Sequence, residues 1–600
     1  MPQKSAFFSI ASAILQRSFR TRKGCDGKNG RTESAPTVAG EVIMDMTVVR
    51  GRIGRLTGCA EIAAMLLVGS AALAEPQMLL VNAKVFTADP ASPYAQAVAI
   101  EGGRILAVGS NGQVRALGGA KTRVIDAGGR LVTPGLIEAH VHLGTELPTP
   151  PLPVPNLPFP GPTPEEALAA VEQAAGAHKD WITAYVGPLV ARDRRNWRKA
   201  LDAVAPETPV FLKGFWGHTS IINSEGLRRL RIAEDIADPL GGWWGRDESG
   251  GLDGRAYEAA ETITPRIRPP TVERLAAAFD EAQKRYARWG VTSIHLMNND
   301  KTAEMTLAAL TAVKPLQKWT VYSWGTWQTT AQRIPDAWAV INTAAKQAPA
   351  KVRVEGPKWI LDGTPIEQNS FQRAVYDGRP GWRGRSNFSD EQLREILQLA
   401  LAHPTQLTLH VVGDAETDRL LNMMAQLAPA SVWRSKRVRI EHGDGIGRDA
   451  FERVAGLGLV VIQNPTHLAI PPTARKKEHE HNIVLKSVED AGIPLALGSD
   501  GGPREQNPFL NLMLAVVFPN EPAEALTREQ ALTAYTAGGA YAEGEERRKG
   551  RLAPGFAADL AVLSQDVLTI PTPQLPATTS LLTMVDGEVI FADAMFAPPR

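Results

Sequence analysis

Ser389-Asp-Glu-Gln-Leu-Arg-Glu-Ile-Leu-Gln-Leu-Ala-Leu401, followed after five residues by Leu407-Thr-Leu-His-Val-Val412, is a helix and a strand in succession. Ser389 and Gln392 make a capping box, and Leu393, Ile396, Leu397, Ala400 and Leu401 line one face of the helix behind it. Leu407–Val412 is the short apolar run of a buried strand. Further such runs follow at Val438–His442, Leu459–Gln463 and Leu495–Leu497, one β/α unit of about 20 to 35 residues each time. Repeated units with right-handed crossovers give a parallel sheet, and in a chain of 600 residues the expected class is α/β, a closed (β/α)8 TIM-like barrel. More than eight candidate strands fall between residues 132 and 500. The surplus, within 180–330, is assigned to an insertion.

Outward from this core the period changes. Met78–Phe86, Ala97–Ile100 and Arg104–Val108 read as strands, with Glu101-Gly102-Gly103 as a tight turn. Asp559–Leu563, Leu581–Val585 and Glu588–Ile590 read likewise, turning at Asp586-Gly587. Either set alone is too small to be stable, so the two chain ends are expected to pair into one small composite β-sandwich. The resulting division is an N-terminal extension and signal peptide at 1–74, a first sandwich half at 75–132, the barrel at 133–544 and a second sandwich half at 545–600. Nine prolines in residues 147–164 form a stiff connector or a wall of the active-site mouth, and Thr163-Pro-Glu-Glu166 caps a helix.

The net charge is +1, from 65 basic and 64 acidic residues, and it is uneven. Residues 1–74 hold ten Lys/Arg against five Asp/Glu. Arg50, Arg52 and Arg55 precede the apolar run Ile62–Ala71 and then Ala72-Leu-Ala74, the parts of a secretory signal peptide cleaved before Glu75. Met44 or Met46 would begin a leader of ordinary length. Leu56-Thr-Gly-Cys59 resembles a lipobox, but arginines precede it. The expectation is an exported protein of the bacterial periplasm, without a membrane anchor after cleavage. Both cysteines lie in this leader, so a metal in the remaining chain is held by histidine and carboxylate. The charge balance offers no basic field for nucleic acid.

The chemistry gathers at Pro134-Gly-Leu-Ile-Glu-Ala-His140-Val-His142. Two histidines at i and i+2 on a strand share a face, with Cα atoms about 6.6–6.8 Å apart, and on a barrel strand both reach one ion. His410 lies in the strand Leu407–Val412, His442 closes Val438–His442, and Asp500 follows Leu495–Leu497. Barrel enzymes place their catalytic groups at such C-terminal strand ends. One histidine there would be read as a core residue. Four histidines and an aspartate in one context favour a shared site for Zn²⁺ or a related metal.

With these residues in place, the chain resembles the amidohydrolase superfamily, and within it the amidohydrolase-3 branch that includes N-substituted formamide deformylases. The likeness spans roughly residues 77–592. Its marks are Thr133–His142, Gly217-His-Thr219 with Asn223-Ser224, Gly290-Val-Thr-Ser293, Lys358-Trp-Ile-Leu-Asp-Gly363 and His410-Val-Val-Gly-Asp414. They continue with Arg439-Ile-Glu-His442, Gln463-Asn-Pro-Thr-His467, Gly498-Ser-Asp500 and Gly550–Asp559. The resemblance implies that His140, His142 and Asp500 bind one metal and His410 and His442 a second. It also implies that Lys358, carboxylated by CO2, bridges them. An unmodified Lys358 would be a buried cation pairing with Asp362, leaving one ion. His218 and His467 match positions near the substrate. Family patterns often read Gln-Pro where this chain has Gln463-Asn464-Pro465.

The remaining histidines are read structurally: His295 as a packed strand residue, His178 and His403 as helix ends, and His479-Glu480-His481 as a solvated loop. Twelve of 13 tryptophans fall between residues 181 and 382, Trp216, Trp243, Trp244, Trp324 and Trp327 among them. They are core packing or the lining of an apolar pocket. The expected function is an exported metal-dependent hydrolase acting on a non-peptide amide or formamide C–N bond of a small molecule. Metal-activated hydroxide attacks and Asp500 moves the proton. The expected cofactor is one or two divalent ions, zinc foremost, and a homo-oligomer is compatible with the sequence. The alternatives are a hydrolase of esters, lactones or carbamates, or a metal-binding relic of the same fold.

Overall fold

In the computed structural model, residues 75–144, 152–153, 161–176, 180–258, 263–298, 302–323, 333–469, 484–502, 505–519 and 521–596 are described. The leader, most of the proline run, His178, Trp324, Trp327 and His479-Glu480-His481 lie outside them.

The β/α repeat builds a ring of parallel strands: β1 (Leu136–Val141), β2 (Val291–Asn298), β3 (Lys318–Ser323), β4, β5 (Thr408–Val411), β6 (Arg439–His442), β7 (Val460–Gln463) and β8 (Leu495–Leu497). β4 comes in two pieces. Val352–Val354 pairs with β3, and Lys358–Ile360 pairs with β5. The other neighbours pair in sequence order. The ring closes where the Ser499 and Asp500 amides donate to the His140 carbonyl, at 3.2 and 2.9 Å. Strands buried on both faces need a helical jacket, and Leu393, Ile396 and Leu397 of the helix Asp390–Ala402 supply part of it, packed in one core with Leu409 and Trp359. Its capping box forms as expected, as does the one at Thr163.

Between β1 and β2 the chain forms a five-stranded mixed sheet, in the spatial order Gly242–Arg246, Leu252–Glu258, Thr219–Ile222, Val210–Gly214 and Ile182–Val186. It has apolar layers of its own, one around Trp197, Val210 and Ile221 and another around Phe211, Ile222 and Trp244.

The chain ends meet in a six-stranded sheet. Leu560–Leu563 pairs antiparallel with Leu131–Pro134, which pairs parallel with Lys84–Phe86. The expected single strand Met78–Phe86 is broken. Asn82 takes the left-handed conformation (φ 53), which asparagine tolerates better than most side chains, and Met78–Val81 joins a different, four-stranded sheet. Leu80, Val85, Val98, Val132, Leu560, Val562 and Leu582 form one apolar layer.

Candidate metal centre

β1 carries the first ligands, and its register explains how. Between Ile294 and Leu296 of β2, the facing residues of β1 step from Glu138 to Val141, one more than a regular ladder allows. Such a bulge re-aims the side chains beside it. Ala139 packs inward against Val460, Ile462 and Ala496, and the next residue, His140, also reaches into the barrel, to the carboxylate of Glu441. β1 ends at Val141, so His142 stands just past the strand and not within it. Gly498 makes room for this crowding, since a Cβ there would come within 2.5 Å of the His140 nitrogen. His442 and Asp500, at strand ends, are in the left-handed region at φ 70 and φ 44. Such outliers cluster at functional sites.

Asp500 is the hub. One carboxylate oxygen, Oδ1, lies 3.4 Å from His140 Nε2 and 3.3 Å from His142 Nε2. Its partner, Oδ2, lies 3.3 Å from His467 Nε2 and 3.8 Å from His442 Nδ1. The His442 ring stacks on His467 at 5.3 Å and meets His410 at 4.6 Å, and His410 in turn meets His218 at 4.9 Å. Ligand atoms of His140, His442 and Asp500 all fall within 4.8 Å of one another. Lys358, buried on β4, brings Nζ to 3.2 Å from His140 Nε2. All eight residues singled out in the sequence are thus in one place.

Surrounding groups set the tautomers. His140 Nδ1 lies 2.5 Å from Glu441 Oε2 and His142 Nδ1 lies 2.8 Å from the Met297 carbonyl. Carboxylate and carbonyl only accept, so both protons are on Nδ1, and the two Nε2 lone pairs, 3.4 Å apart, point toward Asp500, with Lys358 Nζ also beside that of His140. Glu441 is itself held by Arg439, whose Nε donates to Oε1 at 2.8 Å, and Arg439 also donates to the Ala139 carbonyl at 2.7 Å. Burial would raise the Glu441 carboxyl, but Arg439 and His140 keep it ionised, well below the usual range. His442 Nδ1 meets Asn464 Oδ1 at 2.9 Å, which gives the residue departing from the family pattern a place in the site.

This donor set fits a cation. Burial, reinforced by Lys358, holds His140 down to about 4, and burial drives His410 and His442 well below the ordinary histidine value. The imidazoles are therefore neutral, the form that ligates metal. Burial pushes the Asp500 carboxyl up and proton-bearing imidazoles pull it well below its ordinary value, so a negative charge here calls for a positive one among the rings, which neutral imidazoles leave to a cation. His410 Nε2 is buried without a hydrogen-bond partner among the described residues. Facing lone pairs around one carboxylate leave a position that a divalent ion satisfies. Burial also lowers the Lys358 ammonium, favouring a neutral amine. The alternative pairing of Lys358 with Asp362 does not form. The Asp362 carboxyl oxygens accept instead from the backbone amides of Phe371, Val412 and Gly413.

No role in the site was read from the sequence for Glu441, Arg439, Asn464 or the Met297 carbonyl, although Asn464 stood out as a departure from the family pattern. Alternation in Arg439-x-Glu441 does put both on one strand face, but their partners lie some 140 to 300 residues away. His295 is packed as expected, between Arg439 and Glu543, and His403 ends its helix. Trp197, Trp319, Trp338 and Trp359 are core residues, while Trp243 stacks on Tyr257.

A family model described as the amidohydrolase family matches residues 123–591. The chain is 26% identical over 551 residues to Protein LONG AFTER FAR-RED 3 of Arabidopsis thaliana, covering 86% of this chain and 91% of that one. It is 26% identical over 547 residues to N-substituted formamide deformylase of Arthrobacter pascens, covering 85% and 97%. Among solved structures, an uncharacterized metal-dependent hydrolase from Pyrococcus horikoshii OT3 matches with a TM-score of 0.59 at 20% identity, covering 83% of this chain and 99% of that one. That last likeness concerns the fold.

Proposed function

The chain belongs to the amidohydrolase family, and from that premise we propose that it hydrolyses a non-peptide C–N bond, of the amide or formamide type, in a small molecule. The observation that carries the reading is Asp500, whose two oxygens each face a pair of imidazoles, His140 and His142 on one side and His467 and His442 on the other. The named activity of the Arthrobacter relative supports the choice of bond.

His140, His142, His410, His442 and Asp500 would hold the metal, zinc foremost. Lys358, as its CO2 adduct, would bridge a second ion. A divalent metal bound there supplies an activated water near neutral pH and a Lewis acid for the carbonyl. Asp500 moves the proton: a carboxylate oxygen takes it from the attacking water and delivers it to the leaving nitrogen, since an amide anion leaves poorly. His467, beside Oδ2, and His218, beside His410, contact the substrate amide. Glu441 and Met297 keep the His140 and His142 rings from turning.

The same reading takes the six-stranded and four-stranded sheets as one composite β-sandwich, of halves 75–132 and 545–600, on a barrel of 133–544. The shared layer of Leu80, Val98, Val132 and Leu560 supports it. The five-stranded sheet is then the insertion in the barrel. Export to the periplasm rests on the residue pattern Arg50–Ala74, and no helix among the described residues is long and apolar enough to cross a membrane. The test is hydrolysis of a panel of N-formyl and N-acyl amines by the metal-loaded chain, beside aryl esters, lactones and carbamates. Turnover of the amides, abolished by chelation and restored by zinc, is expected. Turnover of esters alone would replace the amide reading.

A further inference from the structure

The strand Leu252–Glu258 of the five-stranded sheet ends on Glu258, which is wholly buried and left-handed at φ 53. A buried carboxylate is costly unless hydrogen-bonded, and a bulky residue at positive φ is uncommon. Both features serve one neighbour. The Glu258 amide donates to the His218 carbonyl at 3.1 Å, and Glu258 Oε2 lies 2.8 Å from His218 Nδ1. With Glu258 as the carboxylate, which only accepts, the shared proton sits on Nδ1, and Nε2 lies on the ring edge away from Glu258. The His218 ring stands 4.9 Å from His410, within the candidate metal centre. β4 leaves room for this contact just past its end, where a Cβ on Gly363 would come within 3.0 Å of Glu258 Oε1.

We infer that Glu258 is a positioning residue: it fixes the ring and tautomer of His218 so that Nε2 meets a polar atom of the substrate amide. The inference rests on the amide-hydrolysis reading above. It assigns part of the active site to the sheet between β1 and β2, with the barrel supplying the metal ligands and this sheet supplying an oriented imidazole. A carboxylate on Nδ1 does for His218 what Glu441 does for His140, but toward substrate instead of metal.

The test compares the purified chain with its Glu258→Gln, His218→Gln and doubly substituted forms. Nitrogen-15 histidine spectra, with His218 assigned by its loss in His218→Gln, read the ring directly. An Nδ1–H tautomer in the parent, altered by Glu258→Gln with metal content unchanged, is the expected result. An Nε2–H tautomer, or a spectrum indifferent to Glu258→Gln, would overturn the inference. With formanilide as probe, Glu258→Gln should lower kcat about 10²-fold or more with KM near the parent's. It should cost nothing further in the His218→Gln background. Additive losses would make Glu258 a structural residue and contradict the proposal. A parent that binds no metal and leaves formanilide intact would retire the amide-hydrolase reading, and the imidazole spectrum would still decide the Glu258–His218 contact. If Glu258→Gln fails to fold, the parent tautomer decides alone.

Discussion

Asp500 divides its two oxygens between different pairs of imidazoles, and this division sets what single substitutions should do. Asp500→Asn keeps the shape and hydrogen-bonding reach of the side chain but removes the charge and the proton acceptor. Turnover should fall about 10²–10⁴-fold while the circular-dichroism melting curve stays close to the parent's. Retained turnover would remove Asp500 from the chemistry. Glu441→Gln acts one step back. It leaves the guanidinium of Arg439 buried without its carboxylate, which should cost about 3–5 kcal/mol in denaturant unfolding. It also releases His140 Nδ1, so zinc affinity measured by competition should drop about 10–100-fold. His140, His142, His410, His442 and Asp500 were legible in the sequence because each falls at or just past the C-terminal end of a strand, whereas His218 and His467 rested on the family resemblance alone. The groups orienting them were not: Glu441 is recognised only once β1 and β6 lie face to face inside the barrel, and Asn464 only once β7 brings it to His442.

At the scale of elements, the helix Asp414–Leu427 buries Glu416 in its first turn, beside the β5-capping Asp362. Burial raises the Glu416 carboxyl to about 7, and burial with Glu416 beside it holds Asp362 well above its ordinary value. The neutral acid is the form stabilised inside. Its contribution is therefore complete below about pH 4.5 and is lost as pH rises through 7. The urea midpoint of the parent should fall between pH 5 and 8, and that fall should shrink in Glu416→Gln. A steeper fall in the variant would contradict the assignment. The helix Asp390–Ala402 was readable from its capping box and periodicity, and β5 from its apolar run. The break of Met78–Phe86 at Asn82 was not, because an uninterrupted apolar pattern does not say that two halves of a strand belong to different sheets. The bulge in β1 escaped for a similar reason: it exists only in relation to β2.

Over the whole molecule, the barrel is flanked by a sheet that needs both chain ends. Leu560–Leu563 and Ser580–Val585 continue the sheet begun by Lys84–Phe86 and Leu131–Pro134. Ending the chain after Ala558 should expose Val85, Val132 and their neighbours, giving an insoluble product or one that binds hydrophobic dyes. A soluble truncated chain with a native melting curve would dissociate that sheet from folding. The small number of strands at each end was what made a pairing of ends readable, the turn signals at Gly102-Gly103 and Asp586-Gly587 marking only the hairpin within each end, whereas the five-stranded sheet was visible only as a surplus of strands. The measurement that bears most directly on the central claim is metal content per chain by elemental mass spectrometry, on the parent, His140→Ala and Lys358→Ala, after supplementation with zinc and bicarbonate. The parent should carry one or two ions, His140→Ala should lose them, and a fall from two to one or none in Lys358→Ala would establish the bridge. A parent that stays free of metal under these conditions would contradict a metal-dependent hydrolase built on His140, His142, His410, His442 and Asp500.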